Sequence, residues 1–494
     1  MRTTWPLSAL LVLALLAPST ARSAPATADF PGQETIRAAD LMETVGFLAS
    51  PRLQGRLAGG PGYWIAARDM AARFRRLGLE PGGDDGFFQR MDVEYEEISD
   101  ARLEIVRPDG ATRALRLGPD FTCRGFTGSG DLTAPVVFAG YGVSEPGKDY
   151  DDYAGLDANG KVVLTFKAAP PFNVDTLGWD DRALPRPRGR TAAAHGARAL
   201  VIAAVGDPER LTMPIGSVLE GPGPEDERFP RLMVSVPVAQ ELLGAGAPDL
   251  DGIKAGIDST RSPASRACPA LLRLVVKARY QAKRPSANVV AVLRGSDPAL
   301  RDQYVVVGAH LDHVGDQAGL LFPGANDNAS GSAAVLAVAR ACAAGGVRPK
   351  RSMVFALFTS EESGLDGAKR FVERPPVPLE KVVAMLNLDC VGVGDSIQLG
   401  SGKTSPRLWR LARDLDAAGA RLAVEQTWGG GGADATPFAQ MGIPTLYFAS
   451  RFSYPHLHQP GDTPDTLNPR MYEALARLAY RTAWAVAQGD YAGE

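Results

Sequence analysis

One stretch constrains the fold of this chain more than any other. Residues 305–331 read VVVGAHLDHVGDQAGLLFPGANDNASG, an apolar run that closes on a histidine, followed by a glycine-bounded turn that carries an acid. Short continuous apolar runs are the signature of strands buried on both faces. Open α/β sheets place their chemistry just beyond the carboxyl ends of such strands, where His310 stands. Asp312 follows two residues later, on the same side of an extended segment. There it can accept a hydrogen bond from the imidazole nitrogen that a metal leaves free. The turn at 324–331 presents Asp327 at or near the start of the alanine-rich helical stretch SAAVLAVARACAA. Taken alone, a histidine two residues before an acid is equally well a hydrogen-bonded structural residue.

The pattern then repeats. Residues 352–358 (SMVFALF) run into Thr359, Ser360, Glu361 and Glu362, and residues 382–388 (VVAMLNL) run into Asp389. Residues 444–448 (PTLYF) lead to a loop of turn formers that carries His456 and His458. An adjacent pair of acids is ordinarily a solvated helix start, but here it follows a run that reads as buried. Four of the five histidines fall in these clusters. The order His, Asp, Glu-Glu, Asp, His suits two zinc ions sharing one carboxylate, with one residue left over for proton transfer.

These residues resemble metallopeptidase family 28, the co-catalytic zinc aminopeptidases, whose members carry A-H-x-D-H-x-G, G-A-x-D-N-x-S-G, an E-E pair, N-x-D and a late H-x-x-x-D-T. The likeness runs from about residue 35 to residue 485 and includes an amino-terminal L-A-S segment that ends in Gly55-Arg56. The resemblance implies an α/β fold, a three-layer α/β/α sandwich with a mixed central sheet, plus an inserted β-rich protease-associated domain. It implies two zinc ions per chain: His310, Asp327 and Asp389 would hold one, and Asp327, Glu362 and His458 the other. It also implies a cis peptide between Asp327 and Asn328. Glu361 would be the general base and Asp312 its catalytic support behind His310. His458 is preferred to His456 because it stands four residues before Asp462, which leaves His313 and His456 in supporting positions. The chain departs from the family twice. Leu457 stands where many relatives have a tyrosine, with Tyr454 as a stand-in, and Ala433-Asp434-Ala435 replaces S-D-H.

The rest of the chain adds context. Residues 1–28 combine Arg2, an apolar run at 7–17 and small residues at 21–28, which reads as a signal peptide cleaved around residues 23–28 and an exported, periplasmic or secreted protein. The run falls short of the ~20 residues a membrane span needs. Lys plus Arg number 53 against 56 Asp plus Glu, and a net charge of −3 excludes a nucleic-acid partner held by phosphate neutralisation. The length exceeds the ~250–300 residues at which one core tends to split. The expected division is 29–122, an inserted domain at 123–280, and 281–494. Tyr150 to Tyr153 and His195-Gly196-Ala197 are among the landmarks of the insert; the acids there read as a solvated loop and His195 as structural. Arg56 reads as a tie between its loop and the catalytic part. The four cysteines leave two readings open: a Cys123–Cys268 disulfide, or four free thiols.

The function these features imply is a dizinc exopeptidase, foremost an aminopeptidase that acts on peptide substrates through a zinc-held water activated by Glu361. A carboxypeptidase-like relative would add basic groups for a substrate carboxylate. A glutaminyl cyclase would use one zinc, and a receptor-like binding protein would show broken ligands.

Overall fold

The apolar run that closes on His310 lies among the parallel strands of the sheet, and all seven of its residues, His310 included, are buried. The computed structural model describes residues 30–172, 179–205, 214–451 and 456–494. The leader segment and Tyr454 lie outside them. In chain order the main strands are β1 (Phe88–Val106), β2 (Phe121–Cys123), β3 (Gly130–Phe138), β4 (Val162–Phe166), β5 (Ala199–Ala203), β6 (Arg231–Val234) and β7 (Arg266–Leu293). They continue with β8 (Tyr304–His310), β9 (Ser352–Phe358), β10 (Val382–Leu388), β11 (Ile397–Gly400) and β12 (Thr445–Ser450). Across the sheet the order is β11-β12-β10-β8-β9-β7-β3-β4-β5-β6-β2, and β1 also pairs with β7.

The sheet is mixed. Strands β9, β8, β10 and β12 run parallel, while β7 and β11 flank them antiparallel. Four parallel strands bring four loops to one edge, and each loop carries part of the acid and histidine set. The helices Asp366–Glu373 and Ala435–Gln440 contribute Ala368, Phe371 and Phe438 to a core shared with Val306, Val354 and Met385. The helices Gly331–Ala344 and Pro469–Gln488 pack against each other and against β8. These layers match the α/β sandwich expected from the sequence, as do the amino-terminal helices Ala38–Leu48 and Pro61–Arg76.

Residues 31–494 form one compact unit, although a second hydrophobic core fills the region between β2 and the first half of β7. Phe121, Val136, Leu164, Val201, Leu232 and Leu272 belong to it. The two regions share β7, a strand of 28 residues. Its first half pairs with β3 and its last five residues with β9. Register shifts between Lys277 and Ala278 and between Gln281 and Arg284 separate the halves, as expected where a strand must bend.

The four cysteines are free thiols, so the Cys123–Cys268 disulfide does not form. Cys123 ends β2 and Cys268 lies on β7. Four other strands lie between these two in the sheet order, so they do not pair with each other.

Candidate functional site

Because β8 and β9 are parallel with His310 opposite Phe358, the residues just past their ends meet. His310 closes β8, and its Nε2 lies 3.2 Å from Asp327 Oδ1, 3.4 Å from Asp389 Oδ1 and 3.9 Å from Glu361 Oε2. On the other side of Asp327, Oδ2 lies 3.1 Å from His458 Nε2, which is also 2.9 Å from Glu362 Oε2. The two oxygens of Asp327 therefore face different histidines. Possible ligand atoms gather in three overlapping groups, each within 4.8 Å: His310, Asp327 and Asp389; His313, Asp327, Glu362 and His458; and His310, Glu361 and Glu362. All the acids and histidines that the resemblance names as ligands are brought together here, with Glu361 beside them.

The loop that carries Asp327 is tied from three directions. Asp462 accepts the main-chain amides of Asn326 and Asp327 at 2.8 and 3.0 Å. Asn328 donates to the Leu388 carbonyl at the end of β10 and accepts the Gly331 amide. The peptide between Asp327 and Asn328 is cis, as the resemblance implied. Arg56, fully buried, donates to the carbonyls of Leu48, Leu311, Pro323 and Gly324. It therefore ties its own loop to the segments before Asp312 and Asp327.

The structure redraws several roles. The Asp312 carboxylate stands 4.0 Å from the His310 ring, whereas the Asp312 main-chain carbonyl lies 3.2 Å from Nδ1. The carboxylate instead accepts the amides of Glu361 and Glu362 at 3.2 and 3.4 Å, because the in-register strand ends bring it level with that loop. His313 is part of the cluster, with Nδ1 2.7 Å from Glu362 Oε1, while His456 is exposed and stands outside it. Sequence reading missed Tyr447, whose hydroxyl donates to Asp389 Oδ2 at 2.8 Å; only the pairing of β12 with β10 reveals it. Trp428, beside the four glycines, packs edge-on against Tyr447 at 5.4 Å.

The charges are those of a site built for cations. Burial alone would push His310 and His458 down, but facing carboxylates hold both well above their ordinary range: Glu361, Asp389 and Asp327 for the first, Glu362 and Asp327 for the second. Burial likewise opposes ionisation of Glu362, yet His458 and His313 keep it at about 2. Glu361 behaves differently: burial raises it well above the usual carboxylate range, with Glu362, Asp434 and Asp389 adding to the effect. One carboxylate of the adjacent pair is thus held charged while its neighbour favours a proton, a separation characteristic of acid–base groups. Asp389 Oδ1 and both oxygens of the fully buried Asp434 have no hydrogen-bond partner among the described residues. An Asp389 oxygen that faces His310 without a hydrogen bond, in a cluster of imidazoles and carboxylates, fits divalent cations that take both ligand types.

The cluster lines a cavity of about 1000 Å³. His310, Asp327 and Glu361 line one wall; Arg124, Arg188 and Ser217, from the region between β2 and β7, line another.

Residues 288–483 match the model of peptidase family M28. A probable glutamate carboxypeptidase, VP8, of Zea mays is 28% identical over 88% of this chain and 63% of its own length. An aminopeptidase of Pseudomonas aeruginosa is 29% identical over 72% of this chain and 58% of its own. The chain thus spans less than two thirds of the length of these curated relatives. Among solved structures, the aminopeptidase from Aneurinibacillus sp. strain AM-1 superposes with a TM-score of 0.63 at 22% identity, covering 92% of this chain and 94% of that one. A peptidase M28 precursor from Shewanella amazonensis gives 0.66 at 19% identity, covering 94% and 98%. Both share the fold.

Proposed function

We propose, for a chain that belongs to peptidase family M28 through residues 288–483, a dizinc aminopeptidase that removes amino-terminal residues from peptides. The observation that carries this reading is Asp327, whose two oxygens face two separate ligand groups at 3.2 and 3.1 Å. His310 and Asp389 would complete one site, and Glu362 and His458 the other, with Asp327 common to both. Two zinc ions, when bound, polarise the scissile carbonyl and lower the pKa of water. The chain's own residues do the rest. Glu361, the carboxylate that favours a proton, takes one from the attacking water and returns it to the leaving amine. Asp312 holds the Glu361 main chain in place, and Tyr447 orients Asp389.

A second reading, a carboxypeptidase-like peptidase, is favoured by one feature. Arg124, Lys167 and Arg188 line the cavity wall contributed by the region between β2 and β7, and a substrate carboxylate would suit them. A single-zinc cyclase fits less well with two complete ligand groups, and a non-catalytic binder fits less well with an intact Glu361. The proposal also includes export through the leader at 1–28 and a protease-associated domain at 123–280, both drawn from sequence. No helix among the described residues is long and apolar enough to cross a membrane.

The deciding experiment is elemental analysis of the purified protein, run alongside hydrolysis of aminoacyl-anilides and amino-terminally blocked peptides with and without a chelator. Two zinc ions per chain and chelator-sensitive cleavage of free amino termini support the aminopeptidase. Removal of carboxyl-terminal residues from blocked peptides moves the assignment to the second reading. Amino-terminal sequencing of the exported protein tests the leader.

A further inference from the structure

The cavity has two walls that are distant in sequence, residues 215–219 and the loop that carries His458. One hydrogen bond joins them: the Gly216 amide donates to the His458 carbonyl at 2.9 Å. His458 itself sits at φ 53°, a left-handed conformation that is strained for a non-glycine residue and persists only where neighbours hold it. Its imidazole meanwhile faces Asp327 and Glu362 at 3.1 and 2.9 Å. A small rotation of this main chain would carry the ring away from both acids.

The segment that makes the bond is firmly held. Thr122 Oγ1 donates to the Ile215 carbonyl at 2.9 Å, and the Gly125 amide donates to the Ser217 carbonyl at 2.7 Å. Arg124 donates to Ser217 Oγ and to the Leu219 carbonyl, both at 3.0 Å, and pairs with Glu220 at 2.9 Å. From Glu220 a chain of buried charges continues through Arg231, at 3.2 Å, to Glu225, at 2.7 Å, and then to Arg186, at 3.0 Å. On the opposite side, a Cβ built at residue 216 would come within 2.8 Å of the Phe322 ring. Phe322 is fully buried and precedes Asp327 by five residues. Residue 216 is therefore wedged between the two loops that present Asp327 and His458, and glycine alone fits there without displacing the ring.

We propose that Gly216 is a positioning residue for His458, so that the region between β2 and β7 is a working part of the metal centre. The inference rests on the two-metal reading above. It assigns the dependence to one ligand group, that of Asp327, Glu362 and His458, and leaves His310 and Asp389 untouched.

The test is a Zn²⁺ competition titration of the full chain against a chromophoric chelator, which yields two dissociation constants for the wild type. Gly216→Pro removes the amide hydrogen. It is expected to weaken the constant of the His458 group ~10-fold, within the range found when the support behind a ligand is lost, and, because the proline ring also meets Phe322 ahead of the shared Asp327, to weaken the other by clearly less. His458→Ala identifies which constant belongs to this group. Thr122→Val loosens the segment from its far end without touching residue 216, and is expected to shift the same constant in the same direction by less. Equal shifts of both constants, or no shift in a folded Gly216→Pro variant, overturn the proposal. If that variant does not fold, as judged by circular dichroism, an unchanged pair of constants in Thr122→Val overturns it. A wild type that binds fewer than two ions overturns the two-metal reading itself, a result distinct from the others.

Discussion

Arg56→Met removes a side chain that joins three segments around the site. The buried guanidinium donates to four main-chain carbonyls at 2.7–2.9 Å. Gly324 keeps a second partner, the Ala329 amide at 3.2 Å, which leaves the carbonyls of Leu48, Leu311 and Pro323 to lose their donor. At ~1–2 kcal/mol for each stranded carbonyl, the loss sums to ~3–6 kcal/mol. Part of this is returned, because burial makes the charge costly to keep. It pushes Arg56 down to about 10, against the pull of Asp462, Asp327, Asp312 and Glu362. A net loss of ~3–5 kcal/mol is expected, a large fraction of the ~5–15 kcal/mol that stabilises most folded proteins. Arg56→Lys keeps the charge but not the planar fork, and should fall between the two. Urea unfolding at pH 7, with excess zinc and again with chelator, gives the numbers. A loss below ~1 kcal/mol for Arg56→Met would refute the reasoning.

The other expectations are shorter. Glu361→Gln should lower kcat by ~10²–10⁴ while leaving metal content unchanged; near-normal turnover would remove Glu361 from the proton path. Asp327→Ala takes an acid from both ligand groups, and elemental analysis should find well under one zinc per chain, with a lowered melting temperature. Burial raises the Glu96 carboxyl from 4.5 to about 9, its Oε1 has no partner among the described residues, and Oε2 accepts the Thr127 amide. The folded chain thus keeps a proton that the unfolded chain releases, so this group's contribution to stability is fullest below pH 4.5 and is lost as pH rises toward 9. Relative to Glu96→Gln, the wild type should weaken by up to ~1.4 kcal/mol per pH unit across that window. A pH-independent difference between the two in thermal melts would contradict this.

The catalytic half was legible because its strands are buried on both faces. Continuous apolar text marks β8, β9 and β10, and each hands on to an acid or histidine within a few residues of its end. The edge of the sheet on which His310, Glu361 and Asp389 gather follows from that pattern and from parallel pairing. What could not be read depended on contacts across the sheet or between distant segments. His313 and His456 look alike in sequence, yet one is buried against Glu362 and the other is exposed. The partner of the Asp312 carboxylate depends on how β8 and β9 are aligned, and that of Tyr447 on which strand lies beside β12. Gly216 carried no signal, since its role exists only where the chain returns to the His458 loop. Cysteine spacing likewise says nothing about distance along a sheet.

The long strand β7 bears on access to the cavity. Two halves joined by a linker part by bending it, but here they share one continuous ribbon of 28 residues, paired on both sides at residues 271–276 and with β1 through most of residues 277–288. Separating the halves would require breaking ladder bonds, not rotating a few flexible torsions. A ligand bound at the cluster would then come and go through a cavity whose two walls stay joined. The width of that cavity, more than the pace of any opening motion, would then limit which ligands gain entry.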